Sequence, residues 1–117
     1  MQINEYQQLA LRTESQVEKV GRISEENLKL LQGLTGLCGE SGECLEILKK
    51  HIFHGHWLDL QHIARELGDV AWYLAISANA IGFTLEEIME MNIDKLKKRY
   101  PEGFDTEHSV HRKEGDI

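Results

Sequence analysis

Two short acidic motifs carry most of the chemical potential of this chain: Glu40-Ser41-Gly42-Glu43 and Glu66-Leu67-Gly68-Asp69. A spacing of three puts the two carboxylates of each pair on one helix face, about 60° apart around the axis. Each pair flanks an apolar stripe, so it faces a neighbouring helix and not open water. If the two helices run antiparallel, the four carboxylates converge. Like charges ~5 Å apart cost roughly 3 kcal/mol per pair at an effective dielectric of about 20. A divalent cation held among them removes that cost, and an all-oxygen donor set suits Mg²⁺ or Mn²⁺ over zinc. Acidic pairs at this spacing also decorate solvated helix faces, so neither motif is specific alone; two of them beside the cores of adjacent helices are more specific. A di-iron centre is strongly disfavoured, because it needs Glu-x-x-His on two helices and no Glu here has His three residues later.

Complementary charge follows further along the chain. Asn92 stands in an apolar stripe between Met89 and Leu96, where leucine would pack better. A buried Asn must be hydrogen-bonded, so it meets another helix or a ligand. Lys95, Lys98 and Arg99 come next; cations at a helix C-terminus also oppose its dipole favourably. His51, His54 and His56 cluster in a turn, as a polar loop or an adventitious metal site. The phosphate-cradling loop of P-loop enzymes and the nucleophile elbow of serine hydrolases are both missing.

Four amphipathic stretches must position these groups. The first stripe is Ile3, Tyr6, Ala10, Thr13, Val17, Val20, with Gly21 as its expected end. The second is Leu31, Leu34, Cys38, Ser41, Leu45, Leu48, Ile52, opening after Ser24, a capping residue with Asn27 nearby. Leu60, Ile63, Leu67, Val70, Leu74, Ser77 and Ile81 form the third, capped by Asp59 and closed by Gly82. The fourth starts at the capping box Thr84-Leu85-Glu86-Glu87 and is stopped by Pro101. Gly55 is the expected turn between the second and third, and the segment after Pro101 reads as an aperiodic tail. The predicted fold is therefore all-α, a four-helix bundle. Gly33, Gly36, Gly39 and Gly42 recur along the second helix, each at a cost of about 1 kcal/mol against Ala. That cost points to close helix packing, a break in the helix, or access for a ligand.

The remaining composition bounds the partners. The chain has 117 residues, room for one domain, and a formal net charge of −7. Polymeric nucleic acid is a poor match for that charge. No apolar run reaches the roughly 20 residues that span a bilayer, and no secretory signal is visible, so the expected location is the cytoplasm. Cys38 and Cys44 lie six positions apart. On one helix they point too far apart to pair, and are expected as buried, reduced thiols.

Taken in order, the two acidic pairs with 22 residues between them, then Asn92-Ile-Asp-Lys95-Leu-Lys-Lys-Arg99-Tyr100-Pro101, resemble the MazG-type nucleotide pyrophosphohydrolases of the all-α nucleoside triphosphate pyrophosphatase superfamily. The contexts GLCGESGECLEILKK and RELGDVAWYL strengthen the likeness, which runs from about Leu31 to Phe104. We take 27–104 as the motif-bearing core of a single domain and 105–117 as a tail. The resemblance implies Mg²⁺-dependent hydrolysis of a nucleoside triphosphate to the monophosphate and pyrophosphate. By the same resemblance Glu40, Glu43, Glu66 and Asp69 are metal ligands and catalytic groups, one of them orienting the attacking water. Asn92, Lys95 and Arg99 are expected to engage substrate, with Lys50 a further cation and Glu46 a further acid. Trp72 or Tyr73 could stack on a base, and Trp72 also suits the core. Assembly as a homodimer or a dimer of dimers, a homotetramer, is implied too. A phosphoribosyl-ATP pyrophosphohydrolase-like enzyme, or a bundle that binds nucleotide or a partner without turnover, are the alternatives.

Overall fold

The computed structural model describes residues 1–17 and 21–117. Five helices follow one another: α1 (Ile3–Leu11), α2 (Glu25–His54), α3 (Leu60–Ala80), α4 (Leu85–Arg99) and α5 (Thr106–Val110). Among the described residues there is no strand, only an isolated bridge between Pro101 and Gly103. The all-α class expected from the apolar periodicity is the class observed. No helix among the described residues is long and apolar enough to cross a membrane.

Local chemistry sets most boundaries where the sequence places them. Ser24 Oγ accepts from the Asn27 N–H at 3.1 Å and starts α2. Gly55, at φ 69°, ends it in the left-handed conformation. Asp59 accepts from the His62 N–H at 3.0 Å to open α3. At the next corner Gly82 adopts φ 79°. Thr84 and Glu87 then satisfy each other's backbone N–H groups at 3.1 and 2.8 Å, completing the expected box.

The first helix departs from expectation. It stops at Leu11, ten residues before Gly21, and Thr13 and Val17 lie beyond it; Val20 falls outside the described residues. Its last turn tightens into i→i−3 bonds from Arg12, Thr13 and Glu14, and Thr13 Oγ1 donates to the Ala10 carbonyl at 3.1 Å. Having no buried residue, α1 lacks the packing that sustains helices shorter than about 12 residues. In the tail, Asp105 caps the unforeseen α5 by accepting from the His108 N–H at 2.7 Å.

Packing concentrates on α2 and α3, which run antiparallel: Gly33 meets Ser77, Gly36 meets Tyr73, and Glu40 lies opposite Glu66. Gly33, Ser77 and Ala78 are the buried residues at this crossing. Two of the four α2 glycines thereby acquire their reason. A Cβ at Gly33 would run into Ser77, coming within 3.2 Å of its Cα, and one at Gly36 would enter the Tyr73 ring. Gly39 and Gly42 face open space. Gly36→Ala is expected to lower stability by about 1–3 kcal/mol through overpacking. Gly39→Ala should be neutral or stabilising by up to about 1 kcal/mol from helix propensity. Urea unfolding of both variants checks the contrast, and equal midpoints would refute it.

The apolar stripes are only half covered within one chain. Leu31, Leu34, Leu45, Leu48, Ile52, Leu60 and Leu67 are all exposed. The accessible surface is 10099 Å², against roughly 6,500 Å² for a compact monomer of this mass. The radius of gyration is 20.1 Å, where a compact chain of this length has about 13 Å.

Candidate metal centre

The antiparallel register of α2 and α3 brings one carboxylate oxygen each from Glu40, Glu43 and Glu66 within 4.8 Å of one another. Glu40 and Glu66 are half-buried and Glu43 is exposed. Close approach of acids raises the cost of ionising all of them. The hydrogen bond with Glu66, burial, and the Glu43 carboxylate together push Glu40 up to about 7. Glu66, receiving that hydrogen bond, is held below the usual carboxylate range. The pair thus retains a proton that isolated glutamates release.

One oxygen of this cluster, Glu40 Oε2, is buried with no hydrogen-bond partner. Such an orphan acceptor is unfavourable, because the water it has lost is not replaced by a donor. Three converging carboxylates with an unsatisfied inner oxygen fit a small hard cation, which would take up that lone pair and cancel the repulsion.

His62 lies four residues before Glu66, and its Nε2 stands 3.2 Å from Glu66 Oε1. The sequence reading passed over this contact, although its i,i+4 spacing was visible there. Beside the cluster lies a cavity of about 190 Å³ lined by Glu43, Glu46, Ile47, Lys50, His62 and Glu66. Glu46 is held below its usual range by Lys49, 3.0 Å away. That pairing makes it a partner of Lys49 and not a member of the acidic group. Lys50 remains at the cavity wall, within 4.0 Å of Glu46.

The other expected residues lie elsewhere in the single chain. Asp69 is exposed and lies outside the three-carboxylate group. Asn92 was expected in a core stripe but is exposed, because α4 packs sparsely against the rest of its own chain. Lys95 and Arg99 line a different cavity, of about 750 Å³, between α4 and the tail. Trp72 is 55% exposed and meets Tyr73 edge-on at 4.9 Å, so it is not a core residue of the single chain. Tyr73 itself covers Gly36. Cys38 is exposed, contrary to the expected buried thiol, and Cys44 is half-buried; both are free. His51 Nδ1 lies 2.8 Å from the His56 carbonyl, fixing the turn after α2. Among the described residues these histidines join no metal-ligand group.

A family model described as the MazG nucleotide pyrophosphohydrolase domain matches residues 27–104. The gene 37 protein of Mycobacterium phage L5 is 35% identical over 72 residues, which cover 58% of this chain and 63% of that protein. The chain thus matches less than two thirds of this curated relative's length. No solved structure matches.

Proposed function

Since the chain belongs to the MazG nucleotide pyrophosphohydrolase family, we propose that it hydrolyses a nucleoside triphosphate, with Mg²⁺ or Mn²⁺, to the monophosphate and pyrophosphate. The observation that carries this reading is the orphaned Glu40 Oε2 at the meeting point of Glu40, Glu43 and Glu66. We take 1–117 as one domain built on the 27–104 core. A nucleotide substrate and two free thiols suit a cytoplasmic location.

Phosphoryl chemistry demands positioning and charge neutralisation more than covalent catalysis. When bound, the cation supplies Lewis-acid stabilisation of phosphate oxygens and lowers the pKa of water. Glu40, Glu43 and Glu66 would hold it, and Asp69, three residues beyond Glu66 on α3, would join them or align the attacking water. Lys50, at the wall of the adjacent cavity, faces the polyphosphate. Asn92, Lys95 and Arg99 bring hydrogen bonds and positive charge from α4, while Trp72 offers an exposed ring to the base.

Water attacks the α-phosphorus, the bond to the α–β bridging oxygen breaks, and pyrophosphate leaves as one unit. Phosphorus NMR during a screen of nucleoside triphosphates is expected to give monophosphate and pyrophosphate as the primary products. Orthophosphate and a nucleoside diphosphate appearing first would overturn the reaction.

The uncovered stripes of α2 and α3 support assembly as a homodimer or homotetramer. The surface excess over a compact monomer is larger than a standard interface of about 1,600 Å², and exposed leucines at helical spacing are the material of bundle seams. In such an assembly α4 gains the packing it lacks in one chain. Light scattering at micromolar concentration should give at least twice 13.4 kDa; a monomer at all concentrations contradicts this.

A further inference from the structure

The second cavity, between α4 and the tail, holds an anion that belongs to the chain itself. Arg99 Nε donates to Asp116 Oδ2 at 2.8 Å and Nη2 donates to Oδ1 at 2.6 Å, a two-bond fork across 17 residues of sequence. The Arg99 and Asp116 side chains are only 10% and 16% exposed. Lys95 and Arg112 line the same cavity. Together with Arg99 they hold the Asp116 carboxyl below its usual range. Among the described residues neither Lys95 nor Arg112 forms an ion pair of its own. Glu107, the nearest acid of α5, is engaged by His111 at 2.9 Å.

Lys95, Arg99 and Arg112 act on this carboxylate within a lining that also carries Lys98, Lys113, Asp94 and Glu114. Such a group of cations is chemically a phosphate seat, because guanidinium forks bind carboxylate and phosphate oxygens with the same geometry. The carboxylate stands on a turn of the tail beyond α5. A turn closed by the Asp116 N–H on the Lys113 carbonyl at 3.1 Å carries it, and Gly115, at φ 83°, gives that turn its pivot. A cavity of about 750 Å³ also has room for a polyphosphate.

We propose that Lys95, Arg99 and Arg112 form a seat for the phosphates of a polyphosphate ligand, and that Asp116 fills this seat as a built-in competitor which the ligand must displace. This rests on the reading that Lys95 and Arg99 meet the polyphosphate of the substrate. It adds that the tail sets the apparent affinity, since every phosphate must first break the Arg99–Asp116 fork. A competitor of this kind raises KM and leaves kcat nearly unchanged.

Calorimetric titration of the full chain with inorganic tripolyphosphate in chelator separates this device from the metal centre. Asp116→Asn is expected to bind tripolyphosphate about tenfold more tightly, the scale of one charge-assisted hydrogen bond. Asp116→Glu, which keeps the charge, should bind like the parent. Lys95→Ala should bind more weakly. The same Asn variant should lower KM for the nucleotide with little change in kcat, and its melting curve verifies the fold. Unchanged or weaker binding by Asp116→Asn overturns the proposal. If Lys95→Ala still weakens binding in that case, the substrate reading of α4 survives and the competitor alone is wrong. If Lys95→Ala is also without effect, both fall.

Discussion

Glu43→Gln is expected to cut pyrophosphohydrolase activity by on the order of a hundredfold or more while making the metal-free fold no less stable. The volume hardly changes, and Glu43 is exposed, so packing is untouched. What disappears is one negative donor from the group within 4.8 Å. Electrostatic groups that act on the transition state are worth about 10²–10³ in rate when removed singly. The same change relieves Glu40, because the Glu43 charge is one of the causes that push Glu40 up to about 7. Activity and metal-free stability should therefore move in opposite directions. A merely structural glutamate would lower both or neither. Steady-state kinetics with Mg²⁺, set beside urea unfolding in chelator, reads the two effects separately. Full activity in Glu43→Gln would remove the cluster from the mechanism.

The second large effect is the response of stability to metal and pH. In chelator, Glu40 holds its proton up to about 7 in the folded chain, whereas an unfolded glutamate releases it near its usual 4.5. The folded state thus binds more protons over this window. Its stability from this group is complete below about 4.5 and is lost as pH climbs through about 7. Glu66, held low by the hydrogen bond from Glu40 and by His62, works the other way and is stabilising above its unfolded pKa. Mg²⁺ should reverse the loss at high pH, since a cation replaces the proton among the carboxylates. At 100 times the dissociation constant, ligand linkage amounts to about 2.7 kcal/mol, several degrees of melting temperature for a chain of this size. Melting curves at pH 5 and pH 8, each with chelator and with Mg²⁺, test both parts. The metal shift should be larger at pH 8. Identical curves in chelator and Mg²⁺ at pH 8 would show that the three glutamates hold no cation.

Some departures from the sequence reading share one origin. The stripe through Ala10, Thr13 and Val17 has helical spacing but small or β-branched members and no partner surface, so periodicity overstated α1. Asn92 sits at a stripe position of α4, yet α4 is exposed over most of its length in one chain. Periodicity reports which face of a helix is apolar; it does not report whether that face is covered by the same molecule. The tail failed for the opposite reason. Five residues of α5 are too few to show a period, and the Asp105 cap beside His108 was the available signal.

The sequence by itself determined the all-α class, the boundaries of α2, α3 and α4, and the spacing of Glu40 with Glu43 and of Glu66 with Asp69 along their helices. Capping and turn chemistry act within about three residues, so Ser24, Gly55, Asp59, Gly82 and Thr84 act where they stand, whatever the rest of the chain does. Carboxylate spacing on a helix is equally local. Tertiary structure alone decided what those groups meet. The contacts of Gly33 with Ser77 and Gly36 with Tyr73 fix the register of α2 on α3. That register selects three carboxylates, leaves Asp69 outside, and strands one oxygen of Glu40. It was likewise the folded tail, not the spacing of basic residues on α4, that gave Arg99 to Asp116. Charge interactions depend on distance through space, and residues far apart in the chain acquire a distance only when the helices pack.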